Sequence, residues 1–228
     1  MKSDSFRKIT QSIRFIITFL FLLSMFFVSA GSFKWPNAWI FLFLYFFYVA
    51  TVFIYLKKHN PDLLKERLNR KKTPKPWDRI VTFIYLVFMC SIIIISGLDF
   101  RFQWSKVPLW GIIAGFIGLI PAAAIISLAM RENTYLSDVV RIQEDRGHQV
   151  CSTGPYKFVR HPMYVGVIMM VLMLPLALGS FFAYIPAGLT TAAFVVRTAL
   201  EDKTLTMELS GYKEYTQKTR YRLAPGIW

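Results

Sequence analysis

The sequence predicts an all-α, polytopic integral membrane protein with about six membrane segments: four full spans and a C-terminal helical hairpin. Three observations carry that reading. Hydrophobic residues make up 55% of the 228, with 21 Phe, 11 Tyr and 6 Trp, and they fall in long runs. Charged residues are only 18% of the chain. The net charge is +14, and 24 of the 27 basic residues lie on alternate sides of the apolar runs. A soluble core of this size does not need so much apolar surface, and the same composition excludes disordered, collagen-like and disulfide-scaffold classes.

The first apolar run, Ile13–Ala30, follows a start carrying Lys2, Arg7, Lys8 and Arg14. With Val28-Ser29-Ala30 at its end it resembles a cleaved signal peptide, but it is long for an h-region, and an uncleaved first helix is the favoured reading. The runs Ala38–Leu56, Ile80–Gly97 and Val107–Met130 follow. At ~1.5 Å per residue these four can cross a hydrocarbon core ~30 Å thick. Met163–Leu178 and Phe181–Val196 are shorter. Pro175 to Pro186, with Gly179-Ser180 at the centre, reads as the turn of a helical hairpin or as a break in one segment. Basic residues crowd the N-terminus, the stretches Lys57–Arg79 and Arg131–Pro162, and the tail from Arg197 to Trp228; only Lys34, Arg101 and Lys106 fall on the other side. The positive-inside rule therefore places both termini in the cytoplasm. The charge is a topology signal whose partner is the bilayer, and no nucleic-acid partner is expected.

The loops are uneven in chemical content. Asn60-Pro61-Asp62 opens a short capped helix over Leu63–Arg67, followed by a basic, proline-containing linker; this stretch reads as solvated and lipid-facing, not catalytic. Gly111, Gly115 and Gly118 form GIIAGFIG inside an apolar run, which indicates close helix packing, not a phosphate loop. No GxGxxG or Walker A pattern is present. His59, His148 and His161 stand alone, so no metal is expected, and Cys90 and Cys151 define no disulfide framework.

Two clusters stand out. In the first, Arg160-His161-Pro162 enters the fifth apolar run, with Pro162 suited to the first helical turn. There Arg160 and His161 would either offer donors to a carboxylate or phosphate, or snorkel to headgroups and satisfy a carbonyl. In the second, Arg197 and Glu201 are four apart at the end of the last run, and spacing alone favours an ion pair between them. The tail ending in Arg220-Tyr-Arg222-Leu-Ala-Pro225-Gly-Ile-Trp228 suits an interfacial anchor.

Taken together, Gly154-Pro155-Tyr156-x-x-x-Arg160-His161-Pro162-x-Tyr164-x-Gly166, the apolar hairpin, Arg197-x-x-x-Glu201-Asp202-x-x-Leu205 and Gly211-Tyr212-x-x-Tyr215 resemble the isoprenylcysteine carboxyl methyltransferase family, in its bacterial type. The resemblance is firm over 143–215 and rests on hydropathy alone over the first 130 residues. Asp202 departs from it, since the family more often has a second Glu there. The resemblance implies an integral membrane enzyme of the bacterial inner membrane that uses S-adenosyl-L-methionine, with a cytoplasmic cofactor site formed by the C-terminal third. It divides the chain into membrane helices at 1–130, bearing the basic loop 57–79, and a methyltransferase region at 131–228, with the hairpin at 163–196. It implies that Gln143, His148, Gln149, Val150, Cys151, Tyr156, His161, Pro162, Met163, Tyr164 and Glu201 surround the cofactor, and that Arg197 positions the methyl acceptor.

The expected acceptor is a lipophilic small molecule or lipid. A carboxylate is favoured because it needs no general base, and Arg197 would hold it in line. A phospholipid amine, or an NADPH-dependent reduction on related architecture, are the competing enzymatic readings. A proton-relay transporter is disfavoured because the six apolar cores lack Lys, Arg, Asp and Glu. No oligomeric state follows.

Overall fold

The computed structural model describes residues 17–68 and 73–228. Residues 13–16 of the first apolar run, the basic residues Lys2, Arg7, Lys8 and Arg14, and Arg70, Lys71 and Lys72 of the linker lie outside the described residues. Among the described residues the fold is all-helical, with no strand. The helices are α1 (Ile17–Ala30), α2 (Pro36–His59), α3 (Pro61–Leu68), α4 (Pro76–Phe102), α5 (Leu109–Glu132), α6 (Pro162–Leu178), α7 (Tyr184–Glu208) and α8 (Tyr212–Lys218). Four of them begin at a proline, whose fixed φ and missing N–H suit the first turn, where that N–H has no helical partner. At α3 the cap expected from Asn60 forms: the Leu63 N–H donates to its side-chain oxygen at 3.2 Å.

By length and composition, α2, α4 and α5 can each cross a membrane, while α6 and the described part of α1 are shorter apolar helices. Their outward faces carry bare apolar side chains: Phe43, Phe83 and Ile120 are 70%, 67% and 67% exposed. A water-facing surface does not carry apolar patches on that scale, but a lipid-facing one does. The inner faces of α1, α2, α4 and α6 meet in a core around Phe26, Trp35, Ile92 and Leu178.

α5 lies along α6, and α4 along α7. Glycine permits the first of these contacts. A Cβ on Gly115 would fall 2.8 Å from the Leu176 backbone, and one on Gly166 the same distance from the Ala122 carbonyl oxygen. The packing read from GIIAGFIG thus holds at Gly115 and at Gly118, which abuts Met173; Gly111 instead faces Val107 at its own helix start. The α6–α7 hairpin turns where expected. Gly179 adopts φ +82°, and Ser180 N–H bonds back to the Pro175 carbonyl at 2.9 Å.

Side-chain ties sort the loops into two groups, as the charge alternation requires. Arg101 lies over Gly31, and buried Asp99 accepts from the hydroxyls of Ser105 at 2.6 Å and Ser180 at 2.5 Å, joining the α1–α2, α4–α5 and α6–α7 connections. At the basic end, Glu66 pairs with Arg141 at 3.2 Å and Lys75 with Glu208 at 2.7 Å, joining α3, the α5–α6 connection and the end of α7. α3 is therefore not merely a solvated, lipid-facing stretch. Leu63 and Glu66 are 0% and 4% exposed, because this helix packs against the long α5–α6 connection.

Gly115→Val is expected to destabilise the bundle by about 1–3 kcal/mol through overpacking. Gly188→Ala, where an added Cβ meets nothing within 4 Å, is expected to be neutral or mildly stabilising. Thermal unfolding of the two variants in one detergent checks the contrast.

Candidate functional site

α7 continues as helix beyond its apolar run to Glu208, which carries Arg197, Glu201 and Asp202 out to the basic end. There the chain builds two buried charge clusters. Asp202, 3% exposed, is gripped on both oxygens by Arg160: Nε to Oδ1 at 2.7 Å and Nη2 to Oδ2 at 2.8 Å. Arg222 Nε adds 2.8 Å to Oδ2, the Tyr212 hydroxyl donates to Oδ1 at 3.0 Å, and His161 Nε2 lies 3.2 Å from Oδ1. Burial alone would raise the Asp202 pKa. The hydrogen bonds from His161, Arg160 and Arg222 outweigh it and hold the carboxyl well below the usual range.

The same cluster fastens the tail. Arg160 Nη1 donates to the Thr219 and Arg220 carbonyls at 2.9 and 2.7 Å. The backbone N–H groups of Arg160 and His161 donate to the Tyr221 and Arg222 carbonyls. Neither sequence reading of Arg160 therefore survives: its donors serve Asp202 and the tail, not a ligand anion or headgroups. His161 does not satisfy a carbonyl with its ring; it faces Asp202 and lies parallel to the Tyr164 ring at 5.8 Å.

The second cluster replaces the Arg197–Glu201 pair that spacing favoured. Arg197 Nε donates to Oδ1 of Asp78 at 2.9 Å, across to the N-terminal turn of α4. Arg197 Nη2 donates to the Asp138 carbonyl at 2.9 Å, and the other Asp78 oxygen accepts the Val140 N–H at 2.8 Å. Arg197 Nη1 makes no hydrogen bond among the described residues. The guanidinium covers the face of Tyr164 at 5.4 Å, and the Tyr164 hydroxyl donates to Glu201. Asp78, 0% exposed, was not anticipated; in the sequence it is one acid at the end of a basic linker.

Between these clusters the α5–α6 connection folds through two 3-10 turns, Glu144–Arg146 and Gly154–Lys157. Gly154 has φ +54°, and a Cβ there would come 2.5 Å from the Glu132 side chain, so the turn requires glycine. Gln143 is 1% exposed beneath the first turn; its Nε2 donates to the Tyr135 carbonyl at 2.5 Å and its Oε1 accepts from Arg146. The His148 ring lies tilted against Tyr135, centroids 4.7 Å apart, with Nδ1 3.3 Å from the Gln143 N–H. That bond makes Nδ1 the acceptor and leaves the proton on Nε2. Burial, reinforced by Arg141 and Arg146, lowers the His148 pKa to about 4, so the ring is neutral at pH 7.

A partly open cavity lies over this arrangement. His148, Gln149, Val150, Cys151, Tyr156, His161, Met163, Tyr164 and Glu201 all line it. Three anticipated residues do not. Gln143 supports the loop from below, Pro162 is fully buried as the first residue of α6, and Arg197 lies behind Tyr164. The remaining wall comes from Asn133, Tyr135–Ser137, Val139–Arg141, Arg160, Leu205, Leu209, Tyr212 and Tyr215. Leu205, Tyr212 and Tyr215 stand in the recognised pattern, whereas Tyr135–Arg141 has no sequence signal and is placed by Asp78 and Glu66. The Cys151 thiol is pushed up by burial and its sulfur faces the Glu132 carbonyl at 3.6 Å, which argues against a nucleophile.

Asp202→Ala would leave Arg160 buried without its partner. A loss of about 3–5 kcal/mol is expected, with release of the tail to proteolysis. For His148 the folded pKa lies below that of the unfolded chain, so the unfolded state binds more protons between about pH 6.5 and 4. The connection's stability is expected to be full above that window and to fall as pH drops through it. Hydrogen exchange over residues 141–151 reads this, and His148→Asn, which keeps an acceptor, should flatten the dependence.

Residues 115–207, from the middle of α5 almost to the end of α7, match the isoprenylcysteine carboxyl methyltransferase (ICMT) family. No curated protein matches the chain. The match spans the cavity's lining from Asn133 to Leu205, both charge clusters apart from Asp78 and the tail, and the glycine-packed α5–α6 contact. It carries the implication of a methyltransferase, and the three long apolar helices that of an integral membrane protein. Over this stretch the chain is similar to the isoprenylcysteine carboxyl methyltransferase family.

Proposed function

We propose that the protein is an S-adenosyl-L-methionine-dependent methyltransferase acting on a lipophilic acceptor at the cytoplasmic face of the membrane, with a carboxylate as the favoured methyl acceptor. In this reading 131–228 is the methyltransferase region, six segments cross or enter the bilayer, and both termini are cytoplasmic. One observation carries it. Nine residues expected around the cofactor come from three separate stretches of chain, and all nine line one cavity.

The lining matches the cofactor's chemistry. Tyr156 offers an aromatic ring to a sulfonium cation, and Glu201 offers a carboxylate to an ammonium or a ribose diol. His148, neutral with Nε2–H, offers a donor. The cofactor supplies an electrophilic methyl group, and the protein's task is to place an acceptor oxygen in line with it and exclude water. The cavity offers no free general base. Glu201 is bonded to Tyr164, the His161 ring is engaged by Asp202, the Tyr156 hydroxyl is buried with its pKa pushed up, and His148 is a weak base. A carboxylate acceptor, already ionised, needs none. Arg197, through its charge behind Tyr164 and its uncommitted Nη1, favours an anionic acceptor group.

Calorimetric titration of the detergent-purified protein with S-adenosylhomocysteine, beside NADPH, tests the reading. Micromolar binding of the first, lost at least about tenfold in Glu201→Gln, is the expected result. Binding of NADPH alone would replace the proposal with a reductase.

A further inference from the structure

The α3 helix carries a cation that neither charge cluster uses. Arg67, near the end of α3, is partly buried. Its Nε is fully buried and has no hydrogen-bond partner. Its one hydrogen bond among the described residues runs from Nη2 to the sulfur of Met163 at 3.5 Å, a weak acceptor. No carboxylate lies within ion-pair distance of it among the described residues; Asp138 acts on it only at longer range, as do the Tyr48, Tyr156 and Tyr164 hydroxyls. Burial lowers its pKa, yet an arginine stays protonated at neutral pH. The contrast with Arg160 and Arg197 is sharp, since each of those is held by a buried carboxylate.

A buried guanidinium with an unsatisfied donor is costly to maintain. Its place gives that cost a reason. Met163, which it touches, lines the cavity and is followed by Tyr164, whose hydroxyl meets Glu201. Arg67 also lies within electrostatic range of Tyr48 of α2, whose neighbour Phe47 is 64% exposed on the lipid-facing surface. The guanidinium thus lies near both α2 and the cofactor cavity.

We propose that Arg67 is an acceptor-binding residue: its guanidinium receives the anionic group, carboxylate or phosphate, of a lipophilic acceptor that enters beside α2 and α3 and reaches the cavity over Met163. This deepens the methyltransferase reading and rests on it for the identity of the neighbouring cavity.

The test is equilibrium binding to full-length protein in detergent. Two probe pairs are used: S-farnesyl-N-acetylcysteine against its uncharged carboxamide, and lysophosphatidic acid against the uncharged monoacylglycerol. The protein is expected to prefer one anionic probe over its uncharged counterpart by about ten- to a hundredfold, the worth of a charge-assisted hydrogen bond. Arg67→Gln should erase that preference while leaving S-adenosylhomocysteine affinity within about twofold. Arg67→Lys should retain part of it. Preference in the first pair identifies a carboxylate acceptor, and preference in the second a phospholipid. Absence of preference in both pairs, its survival in Arg67→Gln, or loss of S-adenosylhomocysteine binding alongside it would overturn the assignment. Anion preference that depends on Arg67 in a protein that binds no S-adenosylhomocysteine would instead overturn the methyltransferase reading and leave the Arg67 site standing.

Discussion

A carboxylate buried at the mouth of a membrane bundle has to be surrounded, and Asp202 is surrounded by Arg160, Arg222, His161 and Tyr212. These partners come from four parts of the chain: the end of the α5–α6 connection, the start of α6, the last helix and the C-terminal tail. Satisfying one desolvated charge therefore fixes the N-terminus of α6, the orientation of the His161 ring and the path of the tail together. A shorter acid suits this role. Asp places both oxygens against the fork of Arg160 directly from the α7 backbone, and the neighbouring Glu201 reaches the cavity instead.

The second buried pair, Asp78 with Arg197, ties the front half of the chain to this assembly. It draws the backbone of Val140 and the carbonyl of Asp138 against α4, and the Glu66–Arg141 pair does the same for α3. The cavity is consequently built on rigid helices, with one long connection held over them at several points. That construction serves a positioning enzyme, in which small displacements of the reacting groups carry large penalties. It also makes the first half of the chain part of the site: α3 brings Arg67 to Met163, and α4 brings Asp78 to Arg197.

Much of this was legible in the sequence because the signals were local. Apolar runs, prolines at helix starts, the Gly179-Ser180 turn and the alternating charge gave the helices and the grouping of their connections. The recognised motif placed nine of the cavity's residues. The misreadings share a physical cause. Helical spacing made Arg197 and Glu201 the natural pair, but a buried guanidinium takes whichever carboxylate the tertiary fold delivers, and that was Asp78, 119 residues away. The short amphipathic look of α3 suggested a surface helix, because nothing local announces that Glu66 meets Arg141. The Tyr135–Arg141 wall was invisible for the same reason: its position depends on those two long-range pairs and not on its own residue types.

The claim at the centre of this account is that the α5–α6 connection and the exposed end of α7 together form one cofactor site. Hydrogen–deuterium exchange on the purified protein, with and without S-adenosylhomocysteine, tests it most directly. The account predicts new protection in two separated stretches, 133–164 and 197–215, with α1 and the outer part of α2 unchanged. Protection confined to one of the two stretches, or absent from both at saturating ligand, would contradict it.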